Sequence, residues 1–507
     1  MRRAIASITL ALLACFSGGA SGAESIVKTE AGDVRGASRD GVVAYLGLPY
    51  AAPPVGDRRW RPPARVTPWP EVRDATSYGP ACPQPDRTDR AARGAGGPTL
   101  KSEDCLNLNV WSKAGARNAP VMVWIHGGGH RVGSNGLSIY DGSDLARHGV
   151  IVVSINYRLG LFGYFAHPAL TAEAQPNDPL GNYGLMDQIA ALEWVQRNIA
   201  AFGGDPKRVT VFGESAGGAS ILFLLTTQRA QGLFASAIVQ SGGGLQIPQR
   251  LAEKEEAGLA AAARIGLDKS ATAAALRATS ADPWIDALGP LEGIGFGSFI
   301  DGRLVTEAPA RAFEEGRAAD VPLMIGANDN EGSIVLDLGA GGGFDRLGSR
   351  VDALRPAYTS SDDADFSRQV LGDAIFVAPS AWIAEQAAPG APSYLYFYTY
   401  VTERRRGAVP GAQHAAEIPY VFQSLDRLPI PSAFFSDQDR AFSDMIASCW
   451  VSFARTGAPD CEGGPDWPAY MRSSDRVMVF APKSHVAPHP RRKQMDAVMS
   501  LTRQAPD

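Results

Sequence analysis

Residues 208–218 run Arg-Val-Thr-Val-Phe-Gly-Glu-Ser-Ala-Gly-Gly, which places Ser215 inside the pattern G-x-S-x-G. The β-branched residues before it predict a strand, and the apolar run Ile221–Leu225 after it predicts a helix. A sharp strand-to-helix turn holds a serine hydroxyl exposed in a strained elbow, and Gly213 and Gly217 leave room for that turn. We therefore interpret Ser215 as a nucleophile rather than as an ordinary serine in a glycine-rich turn.

Backbone donors for a developing negative charge are expected on two sides of Ser215. Ala216 follows the nucleophile at the N-terminus of the predicted helix, where the helix dipole favours negative charge. A glycine loop follows an earlier predicted strand, in the stretch Trp-Ile-His-Gly-Gly-Gly-His of residues 124–130. Successive glycines let backbone N–H groups approach a substrate without obstruction by side chains. Together, the two elements predict an oxyanion site.

A serine hydroxyl needs a base that takes its proton and a carboxylate that orients the base. Where the nucleophilic serine lies at such a strand-to-helix turn, the triad residues follow the chain order serine, acid, histidine. A histidine that precedes Ser215 is therefore excluded. His485 and His489 lie in a proline-rich tail segment, whereas His414 lies in a loop after a predicted strand, which makes His414 the better candidate. The excluded histidines are His126, His130, His148 and His167.

Two carboxylates compete for the role of the acid. Asp329 and Glu331 both follow the predicted strand Val321–Ile325, in the stretch Gly-Ala-Asn-Asp-Asn-Glu-Gly-Ser of residues 326–333. The triad geometry requires an acid at the end of a strand, and both residues meet that requirement. Spacing alone therefore leaves both open.

Short apolar runs alternate with helical patterns over much of the chain. Residues 184–202 carry apolar side chains every three or four positions, which is typical of an amphipathic helix. Strands separated by helices indicate the α/β class, with a mostly parallel sheet covered by helices on both faces. Further helices are predicted within residues 250–280 and 436–456. The predicted strands are Val121–Ile125, Val150–Ile155, Val209–Phe212, Ala237–Gln240, Val321–Ile325 and Tyr394–Tyr400.

Composition indicates a large globular protein. The chain has 507 residues, 45% of them apolar and 20% charged, which is unlike the low-hydrophobicity, high-charge composition of disordered chains. Its net charge of −5 argues against a general nucleic-acid binder, which would be basic. Length alone allows about three domains. Since no linker divides the chain, we expect one α/β domain with long insertions over residues 24–507.

The N-terminus has the features of an export signal. Arg2 and Arg3 precede an apolar run, and small residues end at Ala23, so we expect cleavage after Ala23 and removal of residues 1–23. In a second interpretation, residues 12–15 form a lipobox and Cys15 becomes a lipidated N-terminus. The apolar run is too short to span a bilayer, and no later stretch is long enough, so we expect no transmembrane segment.

Four cysteines remain after cleavage, an even number that suits disulfides in an oxidising compartment. Three pairings are possible, and pairing of sequence neighbours is the economical one. It joins Cys82 to Cys105 and Cys449 to Cys461; in the alternative, one pair is free and buried. The sequence contains no metal-binding or phosphate-binding motif, so we expect no metal and no cofactor.

Several long motifs follow one another in a fixed order along nearly the whole mature chain. On these motifs, the sequence resembles the type-B carboxylesterases, the cholinesterase-like family of the α/β-hydrolase fold. The motifs are Glu103–Trp111, the glycine loop at 124–130, Gly181–Gln188, Phe202–Pro206, the turn at Ser215, Asp329–Ser333 and His414–Tyr420.

The resemblance implies an α/β-hydrolase fold and a triad of Ser215, Glu331 and His414, with glutamate rather than aspartate as the acid. It implies that the oxyanion donors are the N–H groups of Gly128, Gly129 and Ala216. It also implies that Cys82 and Cys105 form the family's first disulfide.

Departures from the family pattern bear on the substrate. The loop between Cys82 and Cys105 contains no aromatic residue, and Glu331 is followed by aliphatic residues, so a choline ester is not expected. His130 stands where relatives usually have an aromatic residue. Arginines near the expected rim of the site suggest, as a hypothesis, a preference for esters that carry a carboxylate. The aliphatic residues after Glu331 are Ile334 and Val335. The arginines of the rim hypothesis are Arg87, Arg90, Arg93, Arg404, Arg405 and Arg406.

The sequence thus predicts an exported serine carboxylesterase that acts on small-molecule esters, with activity that falls below about pH 6–7 as the histidine base protonates. Two alternatives stay open. An acyltransferase uses the same acyl-enzyme, and some members of this fold bind partners without catalysis. The acyl and alcohol groups and the oligomeric state are not predicted.

Overall fold

The apolar runs of the sequence form strands of a single sheet. The computed structural model describes residues 24–86, 100–288, 296–334, 348–360 and 362–502. The segment 1–23, with Cys15, lies outside the described residues, and so do Arg87, Arg90, Arg93 and Val335. The described strands are β1 (Glu24–Lys28), β2 (Asp33–Arg39), β3 (Val42–Pro49), β4 (Arg73–Asp74), β5 (Asn107–Lys113), β6 (Ala119–Ile125), β7 (Ile151–Ile155), β8 (Gly204–Glu214), β9 (Ser236–Gln240), β10 (Leu323–Asn328), β11 (Ser393–Tyr398), β12 (Arg476–Phe480) and β13 (His485–Pro488).

The strand order is β1-β2-β3-β5-β7-β6-β8-β9-β10-β11-β12-β13, and β4 pairs with β2. Strands β7, β6, β8, β9, β10, β11 and β12 pair in parallel, while antiparallel strands extend the sheet at both edges. Parallel pairing requires crossover connections, and helices supply them. The mostly parallel α/β-hydrolase sheet that the sequence predicted is confirmed.

Helices connect the strands in the described part of the chain. Shorter 3₁₀ turns and one π turn, Asp373–Val377, lie between them. The α-helices are α1 (Ser143–Arg147), α2 (Gly160–Gly163), α3 (Pro168–Glu173), α4 (Tyr183–Asn198), α5 (Ala216–Thr226), α6 (Leu251–Arg264), α7 (Ala273–Ala278), α8 (Ala281–Ala287), α9 (Pro309–Glu314), α10 (Asp363–Gly372), α11 (Ala378–Ala387), α12 (Ile418–Val421), α13 (Asp437–Thr456) and α14 (Arg492–Thr502). In this part of the chain, every helix is too short or too polar to cross a membrane.

Each central strand contributes side chains to both faces of the sheet. In β6, Val123 belongs to one apolar cluster, while Met122 and Trp124 belong to the cluster on the opposite face. This alternation follows from the two-residue period of a strand. A strand buried on both faces reads as a continuous apolar run, which is why the sequence predicted the central strands well. One sheet with two apolar faces supports our proposal that residues 24–507 form one domain.

The structure differs from the sequence predictions at element ends. Strand β10 begins at Leu323 instead of Val321, next to Pro322, which has no N–H for a sheet hydrogen bond. The helix predicted over 184–202 ends as an α-helix at Asn198 and closes with a 3₁₀ turn, which Gly203 ends in a left-handed conformation with φ 89°. The helical region 250–280 divides into α6 and α7, and strands β1–β5, β12 and β13 were not predicted.

Both disulfides join sequence neighbours. Cys82 pairs with Cys105 across a separation of 23 residues, and Cys449 pairs with Cys461 across 12. The second bond ties α13 to the chain that follows it, as the economical pairing predicted. The alternative with one free pair is not what the structure contains.

Candidate active site

Ser215 lies at the junction between β8 and α5. Its backbone has φ 56° and ψ −122°, a strained conformation that costs a non-glycine residue about 1–3 kcal/mol. The N–H of Ser215 donates to the carbonyl of Gln240 in the neighbouring strand (2.9 Å). Gly217 packs directly on the carbonyl of Ile125, so a larger residue would not fit there. The strand, turn and helix leave Ser215 partly exposed.

The glycine loop after β6 lies against this turn. A Cβ atom built on Gly127 would be only 3.0 Å from the Cβ of Ser215. Gly128 and Gly129 follow with φ values of 100° and 63°, in the region that favours glycine. Ala216 begins α5 directly after Ser215. The structure therefore brings together the nucleophile candidate and the three residues predicted to supply oxyanion donors.

His414 and Glu331 are in direct contact through Nδ1 of the imidazole and Oε2 of the carboxylate. Glu331 is buried, and its Oε1 accepts hydrogen bonds from Ser241 Oγ (2.5 Å) and from the N–H of Asn328 (2.7 Å). The ring of His414 also packs on Phe376, with 4.9 Å between ring centroids. Because these donors hold Oε1 in place, Oε2 is directed at the ring and Glu331 can orient the imidazole.

The loops that carry Glu331 and His414 are hydrogen-bonded to each other. Asp329, the competing acid, accepts the N–H of Ala412 through Oδ1 (2.6 Å), and the N–H of His414 donates to Ser333 Oγ (3.0 Å). Burial raises the pKa of Asp329 to about 6. Asp329 thus holds the backbone of the histidine loop, while Glu331 contacts the ring.

The second ring nitrogen of His414 faces a carboxylate that the sequence analysis did not consider. Nε2 lies 2.9 Å from Oε1 of Glu214, the residue directly before Ser215. Within the described residues, the polar contacts of the ring are with Glu331 and Glu214, and none is with Ser215 Oγ. Burial alone would lower the pKa of His414, but the two carboxylates raise it well above its usual value.

The competing histidines occupy other environments. His489 is buried against Phe397, with 4.8 Å between ring centroids, and its Nδ1 accepts the N–H of Arg491 (3.1 Å). Burial lowers the pKa of His489 to about 3. His485 is exposed on β13. Of the three histidines that follow Ser215, His414 is the one that contacts Glu331.

Comparison with known proteins gives the family. The model of the Carboxylesterase family matches residues 23–347 and 349–498. This chain belongs to the carboxylesterase family. It is 37% identical to a fumonisin B1 esterase from Sphingopyxis macrogoltabida, over 89% of this chain and 85% of the relative. It is 36% identical to a para-nitrobenzyl esterase from Bacillus subtilis, over 90% of this chain and 94% of the relative.

Solved structures agree with the sequence relatives. A PNB esterase structure superposes on this carboxylesterase with a TM-score of 0.83 at 34% identity, covering 93% of this chain and 99% of the other. The resemblance to type-B carboxylesterases is therefore confirmed, and the chain is a carboxylic ester hydrolase.

Sequence reasoning missed a second buried carboxylate in this carboxylesterase. Glu417 accepts hydrogen bonds from Gln240 Nε2 (2.9 Å) and from Asn328 Nδ2 (2.7 Å). Burial raises the pKa of Glu417 to about 7, and the charge of Glu214 adds to the effect. Glu417 stands three residues after His414, but nothing in that spacing separates it from a surface glutamate. Its contacts on β9 and β10 reveal its place beside the candidate site.

The arginines of the rim hypothesis differ in their surroundings. Arg406 lies over the ring of Tyr400 and donates from Nε to the carbonyl of Val401 (3.0 Å), so it is bound into the fold. Arg404 and Arg405 are exposed. Within the described chain, the hypothesis of a cationic rim therefore depends on these two side chains.

Proposed function

We propose that this carboxylesterase is an exported enzyme that hydrolyses small-molecule carboxylic esters through a triad of Ser215, His414 and Glu331. The contact between His414 Nδ1 and Glu331, beside the strained turn at Ser215, is the observation that carries the proposal. A carboxylate that accepts a hydrogen bond from Nδ1–H selects the tautomer in which Nε2 carries no proton and can act as a base. The proposed reaction uses no cofactor and no metal.

The reaction proceeds through an acyl-enzyme. Ser215 Oγ attacks the ester carbonyl carbon while Nε2 of His414 takes the hydroxyl proton, and the carbonyl oxygen gains the displaced electron pair. When the tetrahedral intermediate collapses, the bond to the alcohol breaks and His414 protonates the departing oxygen. A water molecule, deprotonated by the same nitrogen, then attacks the acyl group, and Ser215 leaves with the proton.

Glu214 gives the base a second partner in this proposal. Nε2 lies 2.9 Å from Glu214 and must turn toward Ser215 Oγ before attack. Glu214 and Ser215 are adjacent in the chain, so both partners of Nε2 belong to the same turn. Once His414 has taken the proton, both carboxylates attract the imidazolium ion.

The N–H groups of Gly128, Gly129 and Ala216 are the proposed donors to the oxyanion. Support comes from the left-handed glycines beside Ser215 and from the position of Ala216 at the start of α5. Backbone donors that are already in place stabilise the developing charge without reorganisation, and one such donor contributes about 10²–10³ in kcat.

Export is proposed from the signal-like residues 1–23 and is supported by the two disulfides, which persist in oxidising compartments. A small-molecule ester follows from the family and from relatives named for fumonisin B1 and for para-nitrobenzyl esters. No observation favours an acyltransferase, so hydrolysis is the single reaction proposed.

Hydrolysis of a series of p-nitrophenyl acyl esters tests the proposal, with Ser215→Ala prepared in parallel. We expect turnover by the wild-type chain and a loss of kcat in the variant that approaches about 10⁶-fold. A folded Ser215→Ala variant that retains wild-type turnover would overturn the assignment of the nucleophile.

A further inference from the structure

We infer that His130 is a positioning residue for the oxyanion loop, and that it fixes Gly128 and Gly129 against the helix that begins at Ala216. This inference deepens the proposed function and rests on it. The sequence marked His130 only as a departure from the family, with no role. The structure gives it contacts that no aromatic hydrocarbon side chain could make.

Two hydrogen bonds hold the imidazole of His130 in a buried position. Its Nδ1 lies 3.0 Å from the carbonyl oxygen of Phe296, and its Nε2 lies 2.9 Å from Ser220 Oγ on α5. Only 4% of the residue is exposed. The loop is therefore joined to α5 one turn beyond Ser215.

The partners fix the direction of these hydrogen bonds. A carbonyl oxygen only accepts, so the proton of His130 is on Nδ1, and Nε2 must accept the hydroxyl proton of Ser220. Ser220 Oγ in turn accepts a hydrogen bond from Gln188 Nε2 (3.0 Å). Burial lowers the pKa of His130 to about 4, which keeps the ring neutral, as this chain of bonds requires.

The backbone at His130 also needs support. Its φ is 56°, and a left-handed conformation at a non-glycine residue persists only where the surroundings enforce it. The N–H of Gly160, at the start of α2, donates to the carbonyl of His130 (2.7 Å). Gly297 packs so close to the ring that a Cβ atom there would lie 2.5 Å from Nδ1. Contacts with Gly160, with residues 296–297 and with Ser220 on α5 thus hold His130 in place.

Gly129 has little support of its own, whereas the carbonyl of Gly128 accepts the N–H groups of Arg131 and Val132 (3.1 Å each) in a turn that contains His130. Gly129 is exposed, and no heavy atom lies within 4 Å of the position that its Cβ would occupy. A run of glycines has the largest conformational freedom to lose on ordering. The loop is consequently anchored at its two ends, by Gly127 against the turn at Ser215 and by His130 against α5. Loss of the second anchor should let the N–H of Gly129, and the turn that carries Gly128, leave their positions.

Kinetics of His130→Phe test this role, because phenylalanine keeps the ring volume and removes both hydrogen bonds. We expect kcat, normalised to active sites titrated with a fluorophosphonate, to fall about 10–100-fold, since a misplacement of about 1 Å costs on the order of 10². KM should stay within about twofold. Affinity for a trifluoromethyl ketone, which forms a tetrahedral oxyanion on the nucleophile, should fall in parallel with kcat.

Ser220→Ala and His130→Gln extend the test. Ser220→Ala removes the partner on α5 and should lower kcat in the same way, while the double variant with His130→Phe should be no slower than His130→Phe alone. His130→Gln retains an acceptor for Ser220 and should recover part of the loss. If His130→Phe does not fold, Ser220→Ala tests the same hydrogen bond in its place.

His489→Phe is the matched control, because His489 is also 4% exposed but packs on Phe397. It should lower the thermal midpoint without lowering kcat per titrated site. A wild-type kcat in His130→Phe, or losses that multiply in the double variant, would overturn the inference. An inert wild-type enzyme would instead contradict the proposed function, so the two failures can be distinguished.

Discussion

The Nε2 atom of His414 lies 2.9 Å from a carboxylate oxygen of Glu214. Since Glu331 contacts the other ring nitrogen, the imidazole is held between two negative charges, and the pKa of His414 is raised well above its usual value. A base works only in its unprotonated form, so the raised pKa moves the acidic limb of activity to higher pH than the sequence analysis expected. The charge of Glu214 thus stabilises the imidazolium form of His414. The same charge reduces the fraction of His414 that is unprotonated and can act as a base.

Glu214→Gln should move the acidic limb of kcat/KM to lower pH. The change removes one of the two charges that raise the pKa of His414, so the ring stays unprotonated in more acidic solution. Glu193→Gln, a change at a partly exposed residue 3.5 Å from Arg229, is the control and should leave the limb in place. An unchanged limb in Glu214→Gln would show that Glu214 does not set the pKa of the base.

Glu331→Gln and Asp329→Asn should separate the two candidate acids. Glu331→Gln removes the charge next to Nδ1 and permits the wrong tautomer, so we expect kcat to fall by about 10⁴. Asp329→Asn keeps the oxygen that accepts the N–H of Ala412 and should retain kcat within about tenfold. The kcat of both variants is measured with the same p-nitrophenyl ester. The reverse ranking would make Asp329 the acid.

Asp329→Asn should also change how stability depends on pH. Burial raises the pKa of Asp329 to about 6 from an ordinary value of 3.8, so its ionisation costs more in the folded chain than in the unfolded chain. The stability that this carboxyl contributes is fully present below pH 3.8 and is lost as the pH rises through about 6. The loss is at most about 3 kcal/mol.

Thermal midpoints from pH 4.5 to 7.5 measure this effect. The midpoint of Asp329→Asn, relative to the wild type, should rise across that window because asparagine does not ionise. A relative midpoint that stays constant, or that falls as the pH rises, would contradict the raised pKa.

Replacing Cys449 and Cys461 by alanine should destabilise the fold without removing the active site. The bond closes a loop with a sequence separation of 12 residues, and chain-entropy arguments give about 3 kcal/mol for such a loop. We expect a lower thermal midpoint and a near-normal kcat at 25 °C. An identical midpoint in the variant would mean that the bond does not stabilise the folded chain.

The central strands were predictable because a strand buried on both faces is a continuous apolar run, as in β6. Strand β2, which lies between β1 and β3, was missed because its burial alternates irregularly and its sequence contains few apolar residues. For the site, chain order and the strand-turn-helix context were enough to select Ser215 and His414.

The contacts that set the chemistry were beyond sequence reasoning. The approach of Glu214 to His414, and the clamp on His130 by residues as far away as Phe296, depend on how separate segments pack. A spacing pattern contains no such distances. Glu417 illustrates the same limit, because only its contacts with β9 and β10 distinguish it from a surface carboxylate.

The central claim is that Ser215 carries the acyl group during turnover. Acid quenching of the enzyme during hydrolysis of a p-nitrophenyl ester, followed by peptide mass spectrometry, measures this directly. We expect the mass of one acyl group on the peptide that contains Ser215 and none on that peptide in Ser215→Ala. An acyl group on another residue, or wild-type turnover by Ser215→Ala, would contradict the account.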